Sequence, residues 1–304
     1  MSREQPDPPK REHPSTYMVQ DRANQEELAR LRLQDTMLTA DMGGLLPEQP
    51  DPASFHQVID VGCGTGNWLI ECAQTFPQMR LLAGVDVSRS MIEAAKAQAM
   101  ETGVDNRVEF RVMDALLMIQ YPKNTFDIVN QRLNFSYLRK WDWPNILQEY
   151  QRIAKIGGIV RITEPNIFSE SNSEAFNQLA DLVLDAFWHA GHLFTPGRDG
   201  VIKVLPDVLH QQGLTNIQSR LITVEYTAKR PSFASFAESN RLVFRTIRPF
   251  LQKWTKLPNN YEQLMQQAVA DMADLGFEAN FQLLTVWGTN TQVNNKVPMT
   301  QDYH

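Results

Sequence analysis

Three glycines spaced two residues apart, Gly62, Gly64 and Gly66, close the run Val58-Ile59-Asp60-Val61-Gly62-Cys63-Gly64-Thr65-Gly66. Glycine lets a backbone approach a ligand closely. The run leads from an apolar strand through a turn into a helix that opens at Asn67. Its free N–H groups and the positive end of the helix dipole would therefore face whatever binds there. The same spelling also suits a plain strand-to-helix turn. Asp86 follows Gly66 by twenty residues, at the end of the apolar run Leu81 to Val85. A carboxylate in that place can accept hydrogen bonds from both hydroxyls of a ribose. Asp86 with Ser88 also reads as a helix cap. Coupled to the glycine turn at the spacing of a βαβ unit, ribose binding is the preferred reading.

The elements that must hold these residues follow from the apolar pattern. Val58 to Val61, Leu81 to Val85, Val108 to Val112, Phe126 to Asn130 and Ile159 to Thr163 are short β-rich runs, separated by helical stretches at Asn67 to Thr75, Ser90 to Glu101 and Trp143 to Ile153. Such alternation makes a parallel sheet with helices on both faces. Gly157-Gly158 gives a turn signal before the fifth run. Upstream, residues 1–14 carry Pro6, Pro8, Pro9 and Pro14 among charges and read as a disordered tail. Residues 15–50 read as a helical cap, with Leu28, Leu31, Met37 and Leu38 at near-helical spacing. Residues 51–166 form the core. Beyond it, 167–203 read as a helical lid, and 204–289 finish the sheet with strands near Ile217 to Tyr226 and Phe281 to Trp287 around a helical insertion at about 233–276. Residues 290–304 read as a second tail.

Composition narrows the function classes. A formal charge of -6 over 304 residues argues against general nucleic-acid affinity, which needs clustered Lys and Arg. Cys63 and Cys72 fit neither a zinc knuckle nor a disulfide framework and read as reduced thiols, so a cytoplasmic location is expected. No apolar leader and no membrane-length apolar window occurs in the chain as given.

Asp60-Val61-Gly62-Cys63-Gly64-Thr65-Gly66 resembles the first motif of class I S-adenosylmethionine-dependent methyltransferases residue for residue. NAD-binding proteins usually place a third glycine inside the helix, where this chain has Asn67 and Trp68. The likeness runs from about Phe55 to Pro165 and more weakly from Leu205 to Trp287. It implies an α/β, Rossmann-like, seven-stranded and mostly parallel sheet with an antiparallel last strand, and S-adenosylmethionine as cofactor. By resemblance, Val112-Met113-Asp114-Ala115 is the family's third motif, with Asp114 toward the adenine amino group and Met113 and Ala115 beside the ring. Asp114 also reads as a turn cap. Phe126 to Arg132 resembles the fourth strand, which places Asn130 and Gln131 beside the methyl donor. Val87 and Met91, next to Asp86, join the same expected set. Tyr150 to Gly158 resembles the helix and turn before the fifth strand, with Ile156 where proline is common. In related enzymes a tyrosine near the start of the N-terminal helix can contact the methionine end; Tyr17 is the candidate, or else packs that helix.

Methyl transfer is an in-line displacement, so holding nucleophile, methyl and sulfur collinear supplies much of the catalysis. An acceptor O–H or N–H also needs a base. His189 and His192 are candidates, or else imidazoles at a helix C-terminus. Glu164 is another, or else a cap or an ion-pair partner. Arg132 would either orient an acidic acceptor or pair with a neighbouring carboxylate. No metal is expected, because the histidine pair lacks further ligands. The aromatic residues gathered in the lid and insertion suit an apolar acceptor pocket or a core. The expectation is methyl transfer to a small, moderately apolar metabolite, on oxygen before carbon and nitrogen, without nucleic-acid or membrane partners, and with homodimerisation through the N-terminal helix. The rivals are a cofactor-assisted cyclisation or rearrangement without methylation, and a non-catalytic binding or assembly module.

Overall fold

Short runs of β-branched and aliphatic residues build the centre of the molecule, and the inner ones are buried on both faces. In the computed structural model, which describes residues 25–168 and 170–291, they form β1 (Gln57–Val61), β2 (Leu81–Asp86), β3 (Val108–Val112), β4 (Phe126–Arg132) and β5 (Ala154–Pro165). The expectations for the first tail and Tyr17, and for most of the second tail, lie outside the described residues.

The strands run parallel in the order β3-β2-β1-β4-β5, so the chain reverses direction across the sheet between β1 and β4. Ligands in open α/β sheets sit outside the strand C-termini at such a switch point. Next to β5 lies β8 (Glu278–Thr289), antiparallel to it, and β7 (Thr215–Thr227) pairs antiparallel with the other edge of β8. A two-residue strand, β6 (Glu170–Ser171), continues along β8 past the end of β5. The described sheet thus has eight strands where seven were expected. The extra strand arises because β8 is longer than the end of β5 can cover.

Helices α2 (Asn67–Thr75) and α3 (Arg89–Glu101) cover one face, with Trp68, Leu69, Ile70 and Ala95 packed on Val58, Leu82 and Ile128. The other face holds α4 (Trp143–Ile153), α5 (Glu174–His189) and α6 (Leu205–Gln211). Alternate strand residues point to opposite faces, so Ile59, Val61, Val129, Val160 and Ile162 belong to this second core. Ser88 and Ser173 cap α3 and α5 by accepting the N–H groups of Met91 and Phe176.

Gly157-Gly158 is not a turn between helix and strand. The register slips between Phe126 and Ile128, so residues around Gly157 bulge out, and Gly157 N–H and Gly158 C=O bond Asn290. The N-terminal helix is α1 (Gln25–Asp41), shorter than the expected span within the described residues. Met37 and Leu38 are buried within the chain, and α1 packs on α7 (Phe233–Thr246). Between β7 and β8 lie α7, α8 (Arg248–Trp254) and α9 (Tyr261–Asp271), and aromatic residues of α5, β7 and α7 gather there: Phe176 lies against Phe236, Phe244 and Phe277, and Tyr226 stacks on Phe236 at 4.1 Å. Phe176, Phe187, Tyr226, Phe236 and Phe244 are buried, so much of the aromatic density is core.

Candidate functional site

The turn after β1 is built from its backbone. Gly62 and Cys63 N–H both donate to Val85 C=O, at 2.8 and 3.0 Å, which stitches the turn to the end of β2. Gly66 closes it and starts α2 with φ +73, a left-handed conformation in which a Cβ would lie 2.5 Å from the Phe110 ring. Gly64, at φ +53, is different: a Cβ there would meet nothing within 4 Å. One glycine is required by packing, whereas the other leaves clear space above the turn.

Asp86 faces that space from the end of β2. Its Oδ2 accepts Gly64 N–H at 3.0 Å and its Oδ1 accepts Ser88 N–H at 2.8 Å. The carboxylate thus organises the loop before α3, the cap arrangement, and also holds the glycine turn. Val87 beside it is exposed, and Met91, in the first turn of α3, is buried. Met113 N–H donates to Asp86 C=O at 2.9 Å, which sets the third motif alongside. Asp114 accepts Leu116 N–H at 2.9 Å, the turn-cap arrangement, and Met113 and Ala115 are largely buried. Thr65 is buried, and Cys63 Sγ lies 3.8 Å from Gly64 C=O.

Asn130 and Gln131, expected beside the methyl donor, are instead committed inside the sheet. Asp60, Asn130 and Arg161 are neighbours across β1, β4 and β5. Asn130 donates to Asp60 at 2.7 Å and accepts from Arg161 at 2.8 Å, while Arg161 pairs with Glu48 at 2.6 Å. Burial pushes the Asp60 carboxyl up to about 7, against the opposing pull of the Arg132 guanidinium and the Asn130 amide. On the opposite face Gln131 donates to Glu164 at 2.8 Å and accepts from Tyr150 Oη at 2.7 Å. Strand alternation buries both side chains, and every bond they make is internal.

Glu164 caps the turn that follows β4. It accepts Asn134 N–H at 3.0 Å and Phe135 N–H at 3.2 Å, and burial raises it to about 8 despite these bonds. This is the capping arrangement that the sequence offered beside a base and an ion-pair partner. His192 braces the same turn from α5's side, with Nδ1 at 2.8 and 2.9 Å from the Phe135 and Leu138 carbonyls. Burial lowers it to about 4, so it is neutral near pH 7 and poorly suited to take a proton. His189 is exposed at the end of α5 with Nδ1 on its own Asp185 carbonyl at 2.8 Å, the helix C-terminus arrangement. Neither histidine is placed as a base. Arg132 pairs with Asp35 of α1, donates to Thr39 Oγ1 at 3.1 Å and lies over the Trp68 ring at 5.6 Å. Here the neighbouring-carboxylate reading holds.

Sequence reasoning missed Asn134 and Tyr137. Asn134 donates to Val61 C=O at 2.8 Å and to Tyr137 Oη at 2.7 Å, and a Cβ on Gly62 would strike its amide at 2.6 Å. The turn after β4 is thus keyed into the glycine turn. Burial, together with the carboxylates of Asp86, Glu164, Asp114 and Asp60, drives the Tyr137 hydroxyl well above the usual phenol range. The position of Tyr137 at the end of β4 was a usable signal. Asp35 and Glu48 gave none, because their partners are remote in sequence. A groove of about 420 Å³ among Glu170, Glu225, Glu278 and Asn280 lies toward the β8 edge, away from the glycine turn.

Residues 58–158 match the model of a family described as a methyltransferase domain. Among curated proteins, the chain is 32% identical over 124 residues to aklanonic acid methyltransferase DauC from Streptomyces sp. (strain C5), covering 41% of this chain and 54% of that protein. It is 31% identical over 125 residues to trans-aconitate 2-methyltransferase from Deinococcus radiodurans, covering 41% and 42%. The chain spans about half the length of these relatives. Among solved structures, the YcgJ protein from Bacillus subtilis superposes with a TM-score of 0.55 at 17% identity, over 83% of this chain and 99% of that one, a likeness of fold.

Proposed function

Since residues 58–158 are a class I S-adenosylmethionine-dependent methyltransferase domain, we propose that the chain transfers a methyl group from S-adenosylmethionine to a small, moderately apolar metabolite. Oxygen is the preferred acceptor atom. The observation that carries this reading is the clear space over Gly64, flanked by the Asp86 carboxylate and the start of α2. That cradle fits a nucleoside: Asp86 would accept from the ribose hydroxyls, and Asp114, Met113 and Ala115 would border the base.

When bound, the cofactor supplies an electrophilic methyl on a sulfonium whose charge disappears in the transition state. The chain's part is to position and to exclude water. The turn from Asn134 to Tyr137, fixed by Glu164, His192 and Gly62, would set one wall of the reaction space. Leu38, Met42, Leu133 and Leu283 supply apolar surface beside Arg132, under α1. The relatives named above bear the names of small organic acids, which supports a metabolite as acceptor. Among the described residues, the candidate bases are either engaged in structure or exposed, so the acceptor's own acidity and correct placement carry the reaction. We also assign α1 and the helices after Pro165 to the cover of the acceptor side.

Calorimetric titration with S-adenosylmethionine, S-adenosylhomocysteine and NAD tests the cofactor. Micromolar adenosyl binding without NAD binding is expected. Tight NAD binding, or no binding of any of the three, would overturn the reading. Transfer of a labelled methyl group to a panel of phenols and carboxylic acids then tests the reaction.

A further inference from the structure

We infer that Arg132 is the receiving group for a ligand carboxylate, and that Asp35 holds that seat as an internal stand-in. This rests on the reading of the turn as a cofactor site. Asp35 ties α1 to both sides of the opening. One of its oxygens pairs with the Arg132 guanidinium, and the other accepts the Asn67 side-chain amide at 2.9 Å. Asn67 is the first residue of α2, directly after the glycine turn. A carboxylate therefore already lies between a guanidinium, an amide and the positive end of a helix, a combination that suits an anion.

Two further observations say that the seat is built for more than Asp35. The Arg132 side chain is 11% exposed, yet its buried Nε has no hydrogen-bond partner among the described residues. Asp35 engages the guanidinium from one side and leaves that donor unmet, which costs free energy in a buried place. Below it, Asp35, Leu38, Met42, Arg132, Leu133 and Leu283 bound a chamber of about 10 Å³, room for about one water. A ligand reaching Arg132 must displace Asp35 and move α1 outward. In the exchange one carboxylate replaces another on the guanidinium, so no buried charge is left unpaired, and Asp35, 19% exposed, has solvent to turn into. An incoming carboxylate that also satisfies Nε would make the fuller set of bonds. The chemistry recognised is a carboxylate, and it has two possible sources: the amino-acid end of the cofactor, or an acid group on an apolar acceptor.

The test is calorimetry on the full chain with four probes: S-adenosylhomocysteine; methylthioadenosine, which keeps the nucleoside and thioether without a carboxylate; benzoate; and benzamide. Asp35→Asn should tighten the carboxylate-bearing member of one pair about tenfold and leave its neutral counterpart unchanged. Arg132→Met should weaken it by a similar factor; tenfold corresponds to about 1.4 kcal/mol. A changed ratio of S-adenosylhomocysteine to methylthioadenosine assigns the seat to the cofactor, and a changed ratio of benzoate to benzamide assigns it to the acceptor. If Asp35→Asn moves neither ratio, the inference is overturned. Damaged folding lowers both members of a pair together, and Asp35→Asn is read as a gain, so the ratios remain decisive. If the wild-type chain binds neither nucleoside probe, the cofactor reading fails, while the benzoate to benzamide ratio still decides Arg132.

Discussion

The two halves of the sheet are held together in different ways. Around β1 to β3, the groups that face the opening come from one stretch between Asp60 and Ala115, and backbone geometry places them: left-handed glycines, strand ends and N–H groups bonded to Asp86. Around β4 to β8, the ties are polar, buried and long in sequence. Arg132 meets Thr39 93 residues away, Arg161 meets Glu48 113 residues away, and Tyr226 meets Asp41 185 residues away. A nucleoside site can thus be encoded locally, whereas the acceptor side is assembled by folding the chain's start onto its later part.

That contrast predicts where the molecule breaks. Arg161 and Glu48 are 0% and 2% exposed and pair with each other. Arg161→Met strands the Glu48 charge in the interior, for an expected loss of about 3–5 kcal/mol by urea unfolding. The double variant with Glu48→Met should recover most of it, because burying neither charge can match burying both. A double variant as unstable as the single one would show that Arg161 acts mainly through Asn130. In the other half, Gly66→Ala adds the cost of a left-handed alanine to a collision with Phe110, roughly 3 kcal/mol in all. Gly64→Ala incurs only the first, about 1–2 kcal/mol. Gly64→Val should fold yet lose adenosyl ligands, and equal damage from changes at the two glycines would remove the distinction between packing and ligand space.

The same contrast explains what the sequence made legible. The five parallel strands and the helices between them came from period and spacing, the antiparallel closing strand came from the family resemblance, and the observed spans differ by a few residues at most apart from the longer β5, which starts at Ala154. The glycine turn and Asp86 were legible because their geometry depends on neighbours in sequence. Asn130 and Gln131 were misplaced, because strand position was read without asking which face each side chain takes and what it meets there. Arg161, set between Val160 and Ile162, carried an overlooked signal: a charge in an apolar parallel strand must find a partner. Its partner, Glu48, lies in a loop whose place depends on tertiary folding. His189 and His192 were chosen for their chemistry with a helix C-terminus as the alternative; hydrogen bonding puts His189 in that alternative, and the brace made by His192 depends on a turn 54 residues away.

Asp86→Ala tests the local half at smaller scale. It removes the acceptor of Gly64 and Ser88 N–H and the expected partner of the ribose. Adenosyl ligands should weaken by at least about 1 kcal/mol by calorimetry, the scale of a lost hydrogen-bond acceptor. Asp86→Asn should fall between, since its amide oxygen keeps one of the two accepting sites. Unchanged affinity in the alanine variant would leave Asp86 as a loop organiser only.

The smallest effect expected is a change of slope, and it probes the remote half. Burial raises Glu164 from an ordinary 4.5 to about 8, while the N–H groups of Asn134 and Phe135 and the Gln131 amide pull the other way. A carboxyl whose folded pKa lies above its unfolded value keeps its proton in the native chain after the unfolded chain has released it. Its contribution to stability is full below about pH 4.5 and is lost as the pH climbs through about 8. Asp60, raised to about 7, acts in the same direction. Urea unfolding at about pH 5 and about pH 8 should therefore show stability falling with pH, and Glu164→Gln should flatten that fall without abolishing it. An unaltered slope would mean that Glu164 is ionised in the native chain, so that the N–H groups of the turn outweigh burial. The second half of the sheet would then hold its carboxylate as the first half holds Asp86, by backbone donors.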